Sequence, residues 1–145
     1  MSLHTRLAET IDTAGLAQLV RLNALFNGAS DSADQIAPRL ADPRRVETLI
    51  LAEIDDRIIG FATLRVVPTL FFAEPYAELT ELFVEESFRR RGAGRALVAH
   101  AESLSRQAGA RRMIILTDFE NTVAQSLYHS MGYTRYDIAL CKGLK

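Results

Sequence analysis

Between Phe83 and Leu97 the chain reads F-V-E-E-S-F-R-R-R-G-A-G-R-A-L. Arg89, Arg90, Arg91 and Arg95 set four positive charges around Gly92, Ala93 and Gly94. An apolar run ending at Val84 precedes this segment. Leu97, Ala101 and Leu104 follow it at helical spacing. The segment therefore reads as a strand-to-helix turn. Glycines in such a turn leave backbone N–H groups open to approach. The first turn of the helix has N–H groups without intrahelical acceptors and a partial positive charge. With guanidinium groups added, this is a site for a phosphate or pyrophosphate.

Two carboxylates and a phenol stand on either side of this turn. Glu78 and Glu81 lie on the preceding strand, where a carboxylate can act as a base. Their spacing puts them on opposite faces unless a bulge intervenes. Tyr128 lies on a later helical stretch with Ala124, Leu127 and Met131, and its hydroxyl can serve as an acid. Asn121 is the expected N-cap of that helix. His100 and His129 have no second ligand at metal spacing. Cys141 is the single cysteine, which excludes an internal disulfide and a zinc knuckle. No metal site is expected.

The glycine pattern differs from other nucleotide loops. G-x-x-x-x-G-K-[ST] is absent, and a dinucleotide fingerprint would need a small residue where Leu97 stands. Arg89, Gly92 and Gly94 match [Q/R]-x-x-G-x-[G/A], and the segment resembles the acetyl-coenzyme A loop of the GNAT N-acetyltransferase superfamily. Glu78 to Val84 is similar to that family's central strand. Asn121-Thr-Val-Ala-Gln-Ser-Leu-Tyr-His-Ser-Met-Gly-Tyr133 resembles its second signature, at Asn121, Ala124, Leu127, Tyr128, Gly132 and Tyr133. The resemblance is close over residues 78–133.

The resemblance implies an acetyl-CoA-dependent enzyme that transfers acetyl directly to a primary amine in a ternary complex. Residues 89–95 would hold the pyrophosphate. Backbone groups of Phe83 and Val84 would hold the thioester carbonyl and pantetheine, with Asn121 orienting the pantetheine arm. Tyr128 would protonate the departing thiolate. The general base stays open between Glu81 and Glu78, with Glu81 favoured. A small-molecule amine is the expected acceptor, on the acidic residues Glu78, Glu81, Asp118 and Glu120 and the aromatic Phe71, Phe72 and Tyr76. A protein N-terminus or lysine, or a non-catalytic CoA-binding sensor, are the alternatives.

Composition narrows the class further. The 145 residues are 48% apolar and 24% charged, with net charge −1. These values suit one globular domain, residues 1–145, rather than a disordered chain or a general nucleic-acid binder. No apolar run is long enough to cross a bilayer and no signal-peptide pattern opens the chain, so a cytoplasmic protein is expected.

The coarse pattern predicts an α+β fold, a mixed and mostly antiparallel sheet flanked by helices. A first strand falls at residues 6–8. A helix starting from Asp12 carries Leu16, Leu19, Val20 and Phe26 and stops at Asn27-Gly28. A second runs from Asp31 to Leu40. Residues 48–54 and 58–67 form a hairpin, and Tyr76 to Val84 is the next strand. Gly94 to Ala108 is helical, Met113 to Thr117 a strand, and Thr122 to Met131 a helix. A final strand is expected from Tyr136 to Cys141. Its apolar alternation, with little chain after it, suggests an edge that pairs two copies into a homodimer.

Overall fold

The computed structural model describes residues 2–12, 15, 18, 21 and 33–145. Within them lie strands β1 (Leu3–Leu7), β2 (Glu47–Ile54), β3 (Arg57–Val67), β4 (Tyr76–Val84) and β5 (Met113–Ile115). Helices α1 (Ala33–Ala41), α2 (Ala93–Gln107) and α3 (Thr122–Ser130) accompany them. The strands form one sheet in the order β1-β2-β3-β4-β5. The first three pairings are antiparallel, and β4 pairs with β5 in parallel. This is the α+β architecture that the pattern predicts. The predicted helix through Leu16, Leu19, Val20 and Phe26, with its Asn27-Gly28 stop and the Asp31 cap, falls almost wholly outside the described residues.

Local chemistry sets the connections. Asp55 and Asp56 have φ of 50° and 61°. A type I′ two-residue hairpin turn needs positive φ at both central residues, and Asp tolerates it because its side chain can bond locally. Helix α2 buries Ala93, Leu97, Val98, Ala101 and Ser105 along one stripe. It ends where Gly109 takes φ 90°, and the Ala110 N–H reaches back to the Ser105 carbonyl at 2.9 Å. That is the left-handed glycine stop expected after an amphipathic run.

Apolar packing covers both faces of the sheet. On one face Ile50, Ile59, Leu64 and Leu79 meet Leu97, Val98 and Ala101 of α2 and Tyr128 of α3. On the other, Leu51, Ile58, Phe61 and Phe83 meet Ala37 and Leu40 of α1. A polar knot holds β1. Arg6 donates to Asp12 at 2.7 Å and to Glu53 at 2.6 Å, and both carboxylates are buried.

The C-terminal expectation is not met within the single chain. Residues 134–145 are irregular and exposed, so no strand forms at Tyr136–Cys141. The alternation is present, but this segment pairs with no strand of its own sheet. Tyr136 is held at its start, where Arg112 Nη1 donates to its hydroxyl and stacks over its ring. No helix among the described residues is long and apolar enough to cross a membrane.

Candidate active site

The register of β3 against β4 shifts between Thr63 and Leu64. Thr63 faces Glu81, while Leu64 faces Leu79, so Thr80 is an extra residue. This bulge resolves the placing of the two glutamates. Glu81 shares a face with Phe83, two residues on. Glu78 meets Arg65, which shares a face with Phe61, the partner of Phe83. Both glutamates therefore lie on the α1 side of the sheet. They differ in surroundings. Glu78 is buried and ion-paired with Arg65, whereas Glu81 is exposed at the cleft described next.

β4 and β5 pair only through Ala77–Met113, Glu78–Ile114 and Leu79–Ile115. Beyond that point they separate around a cleft of about 480 Å³. Thr80, Glu81 and Leu82 form one wall, and Leu116, Thr117 and Asp118 the other. Glu120, Asn121 and Tyr128 close it from the α3 side, and no Lys or Arg is among the described residues that line it. Glu78, Phe71 and Phe72 are not among its lining residues, and the two phenylalanines stand exposed on the β3–β4 connection.

One hydrogen bond fixes which amides face this opening. The Glu85 N–H donates to the Ile59 carbonyl at 2.8 Å. Antiparallel pairs alternate, so Phe83 and Phe61, two steps back, also form a bonded pair. The Phe83 amide is thus turned towards β3. Leu82 and Val84 turn theirs towards the cleft. Val84 fits this, because its carbonyl accepts from Arg89 Nε at 2.9 Å. Leu82 was not legible as a binding residue, since strand parity at a bulge depends on the partner strand.

Below Val84 the chain makes a 3₁₀ turn, Glu86–Phe88, and enters α2. Gly92 caps the helix with φ 86° and no side-chain cap. The first helical bond runs from the Ala96 N–H to the Gly92 carbonyl, so the N–H groups of Ala93, Gly94 and Arg95 have no helical acceptor. Arg90 takes φ 61°. Arg91 stacks over Phe88 at 5.4 Å, and Arg95 donates to Ser130 Oγ at 2.7 Å. A Cβ on Gly94 would come within 3.1 Å of Leu127 Cδ2. The glycine there lets α2 and α3 approach closely, a role that the sequence motif alone does not reveal. The open donors, the glycine turn and the arginines fit a pyrophosphate, and the amides of Leu82 and Val84 suit an extended amide-bearing arm.

Asn121 caps α3, its Oδ1 accepting from the Ala124 N–H at 3.1 Å. That leaves its Nδ2 as a donor at the cleft. Tyr128 is buried and packs edge-on to Tyr133, with ring centroids 6.1 Å apart. Burial, and then the charge of Glu81, push the Tyr128 hydroxyl up to about 12. It therefore holds its proton at neutral pH. Glu47 of β2 is a further residue that the sequence did not single out. Its Oε1 accepts from the Thr80 hydroxyl at 2.6 Å, and Thr80 in turn lies 2.6 Å from the Thr63 hydroxyl. Nothing local to Glu47 signals this, because the three residues meet only through strand register.

A glycine-capped helix start with open N–H groups, a splayed strand pair and a protonated tyrosine at the cleft lie where the sequence motifs put them. Residues 16–133 match the model of the Acetyltransferase (GNAT) family. The chain belongs to the GNAT family of acetyltransferases. Among curated relatives, it is 32% identical over 133 residues to an uncharacterized N-acetyltransferase, YhfO, of Bacillus subtilis (strain 168), covering 90% of this chain and 89% of that one. It is 29% identical over 131 residues to the aminoglycoside N(6')-acetyltransferase type 1 of Stenotrophomonas maltophilia, covering 88% and 84%. Among solved structures, an aminoglycoside acetyltransferase from an uncultured soil metagenomic sample, in complex with sisomicin, superposes with TM-score 0.83 at 19% identity. That match covers 99% of this chain and 97% of the other, and at this identity it speaks for the fold.

Proposed function

We propose that this GNAT enzyme moves acetyl from acetyl-CoA to a primary amine of a small cationic molecule, directly, within the β4–β5 cleft. The observation that carries this reading is the joint placing of Glu81 and Tyr128 on one cleft. The α2 start and residues 89–95 bind the pyrophosphate. Leu82 and Val84 offer backbone N–H groups to the thioester carbonyl and pantetheine.

The residues divide the proton transfers between them. An amine is mostly protonated at neutral pH and attacks only when neutral. Glu81 takes a proton from the ammonium. The amine nitrogen then bonds the carbonyl carbon as the carbon–sulfur bond breaks, with its electron pair going to sulfur, and the nitrogen sheds its second proton to solvent to leave a neutral amide. The Tyr128 hydroxyl gives its proton to that sulfur. Both side chains return to their resting states through solvent. Glu81, Asp118 and Glu120, with no basic residue among the described residues of the cleft lining, favour a cationic acceptor. The aminoglycoside enzyme of S. maltophilia, a relative along most of both chains, supports a small polyamine-like substrate.

The test is a panel of amines with acetyl-CoA, read by release of free thiol. Small di- and polycationic amines should outpace neutral amines and peptide N-termini. Turnover confined to peptides would overturn the substrate reading. No turnover with any amine, on protein that binds acetyl-CoA, would overturn the catalytic one.

A further inference from the structure

We propose that Glu47 is a positioning residue of the reaction: through the Thr80 hydroxyl it locks the β4 bulge that turns Glu81 to the cleft. The inference rests on Glu81 as the base of the proposed function. Glu47, Thr63 and Thr80 come from β2, β3 and β4 in turn. Thr63 faces Glu81 and Leu64 faces Leu79, so Thr80 has no β3 partner of its own. Its side chain reaches Thr63, which shares the α1 side of the sheet with Arg65 and Phe61. Thr80 and Glu81 therefore stand next to each other on that side, as two residues opposing one. If the extra residue moved one place on, to Glu81, that side chain would turn to the opposite face.

Contacts from two strands hold Thr80 in that place. Its hydroxyl donates to Glu47 Oε1 at 2.6 Å. A hydroxyl has a single proton, so Thr63 is the donor in the 2.6 Å contact between the two threonines. The Thr63 carbonyl lies 3.3 Å from the same Thr80 oxygen. Arg65 is the register partner of Glu47, but it directs its Nη2 to Glu78, and Glu47 reaches past it to Thr80. Glu47 and Thr80 are both half-buried, where a hydrogen bond to a carboxylate is stronger than one between neutral groups. Thr80 lines the cleft beside Glu81 and Leu82. The proposed reaction draws its base from the first and an amide for the thioester carbonyl from the second. A misplacement of about 1 Å at such groups can cost about 10²-fold in rate. The pyrophosphate groups at 89–95 lie beyond the C-terminal end of β4 and do not depend on the clamp.

Thr80→Val keeps the shape and removes the hydroxyl, and Glu47→Ala removes its acceptor. Each should lower kcat by about tenfold or more, while acetyl-CoA affinity by calorimetry stays within about twofold of the parent. Thr80→Ser and Glu47→Gln keep a donor and an acceptor, and should recover most of the rate. Parent kcat in both Thr80→Val and Glu47→Ala overturns the proposal. So does a loss of kcat matched by an equal loss of affinity, or one that the conservative variants share in full. Amide exchange on the protein alone is the second readout. Residues 80–82 should exchange faster in Thr80→Val than in the parent, while 76–79 keep parent rates. Unchanged exchange at 80–82 overturns the clamp. A parent that binds acetyl-CoA but acetylates no amine would refute the proposed function instead, and exchange alone would then decide the clamp. If Thr80→Val fails to fold, Glu47→Ala carries both arms, because Glu47 is half-buried at the start of β2.

Discussion

In the proposed mechanism Tyr128 and Glu81 carry the proton transfers, and their environments differ: Tyr128 is buried and Glu81 is exposed at the cleft. Burial keeps the Tyr128 proton in place up to about 12, so it contributes no alkaline limb in the working range. Tyr128→Phe preserves the packing and removes the hydroxyl. Acetyl-CoA binding by calorimetry should persist while kcat falls about 10²-fold or more. Unchanged kcat, with chemistry rate-limiting, would return Tyr128 to the core. Glu81→Gln should remove the acidic limb of the pH–rate profile, since the carboxylate is then no longer there to be protonated. Glu78→Gln should leave the profile alone and lower the melting temperature, because Glu78 is buried against Arg65. If Glu78→Gln alone shifts the limb, the base assignment is reversed. The sequence named both glutamates and the tyrosine and favoured Glu81 only narrowly. Their difference comes from Arg65 and the cleft, which lie elsewhere in the chain.

Elements place these groups, and here legibility divides sharply. The strand-to-helix turn was readable because its cause is local: glycine, free N–H groups and arginines adjoin in sequence. The bulge at Thr80 was not, because Glu47, Thr63 and Thr80 meet only through register across three strands. The tail misled for a related reason. Alternation at Tyr136, Ile138 and Leu140 specifies a strand but not which edge it joins. Gly92 and Gly94 separate the two kinds of glycine. Gly92 takes φ 86°, and a Cβ there has room, its nearest neighbour being 3.9 Å away. Gly92→Ala should therefore cost about 1 kcal/mol through backbone strain and weaken acetyl-CoA binding. Gly94→Ala pushes on Leu127 and thus on the helix that carries Tyr128. It should lower kcat more than affinity. Denaturant unfolding, calorimetry and initial rates separate the two, and equal effects in all three would refute the distinction.

The whole molecule is stapled at β1 by a charge cluster remote from the cleft. Arg6 bonds Asp12 and Glu53 and holds both carboxyls below the usual range, and His4 adds a contact to Glu53 at 2.8 Å. A carboxyl depressed on folding stabilises the fold above its unfolded value and loses that contribution as pH falls through its folded value. Arg6→Met should cost about 2 kcal/mol at neutral pH. That is less than a fully buried pair because the Arg6 side chain is 34% exposed. The gap between parent and variant in urea unfolding should shrink as pH falls below the ordinary carboxylate range and both depressed carboxyls protonate. A gap independent of pH would contradict this role.

In the proposed mechanism acetyl passes directly between two ligands held together in the β4–β5 cleft. Initial rates of thiol release, measured while acetyl-CoA and the best cationic amine are varied together, test it most directly. Intersecting double-reciprocal lines are expected, because both ligands must be bound before the carbon–nitrogen bond forms. Parallel lines, the mark of an acetylated enzyme formed before the amine arrives, would contradict it.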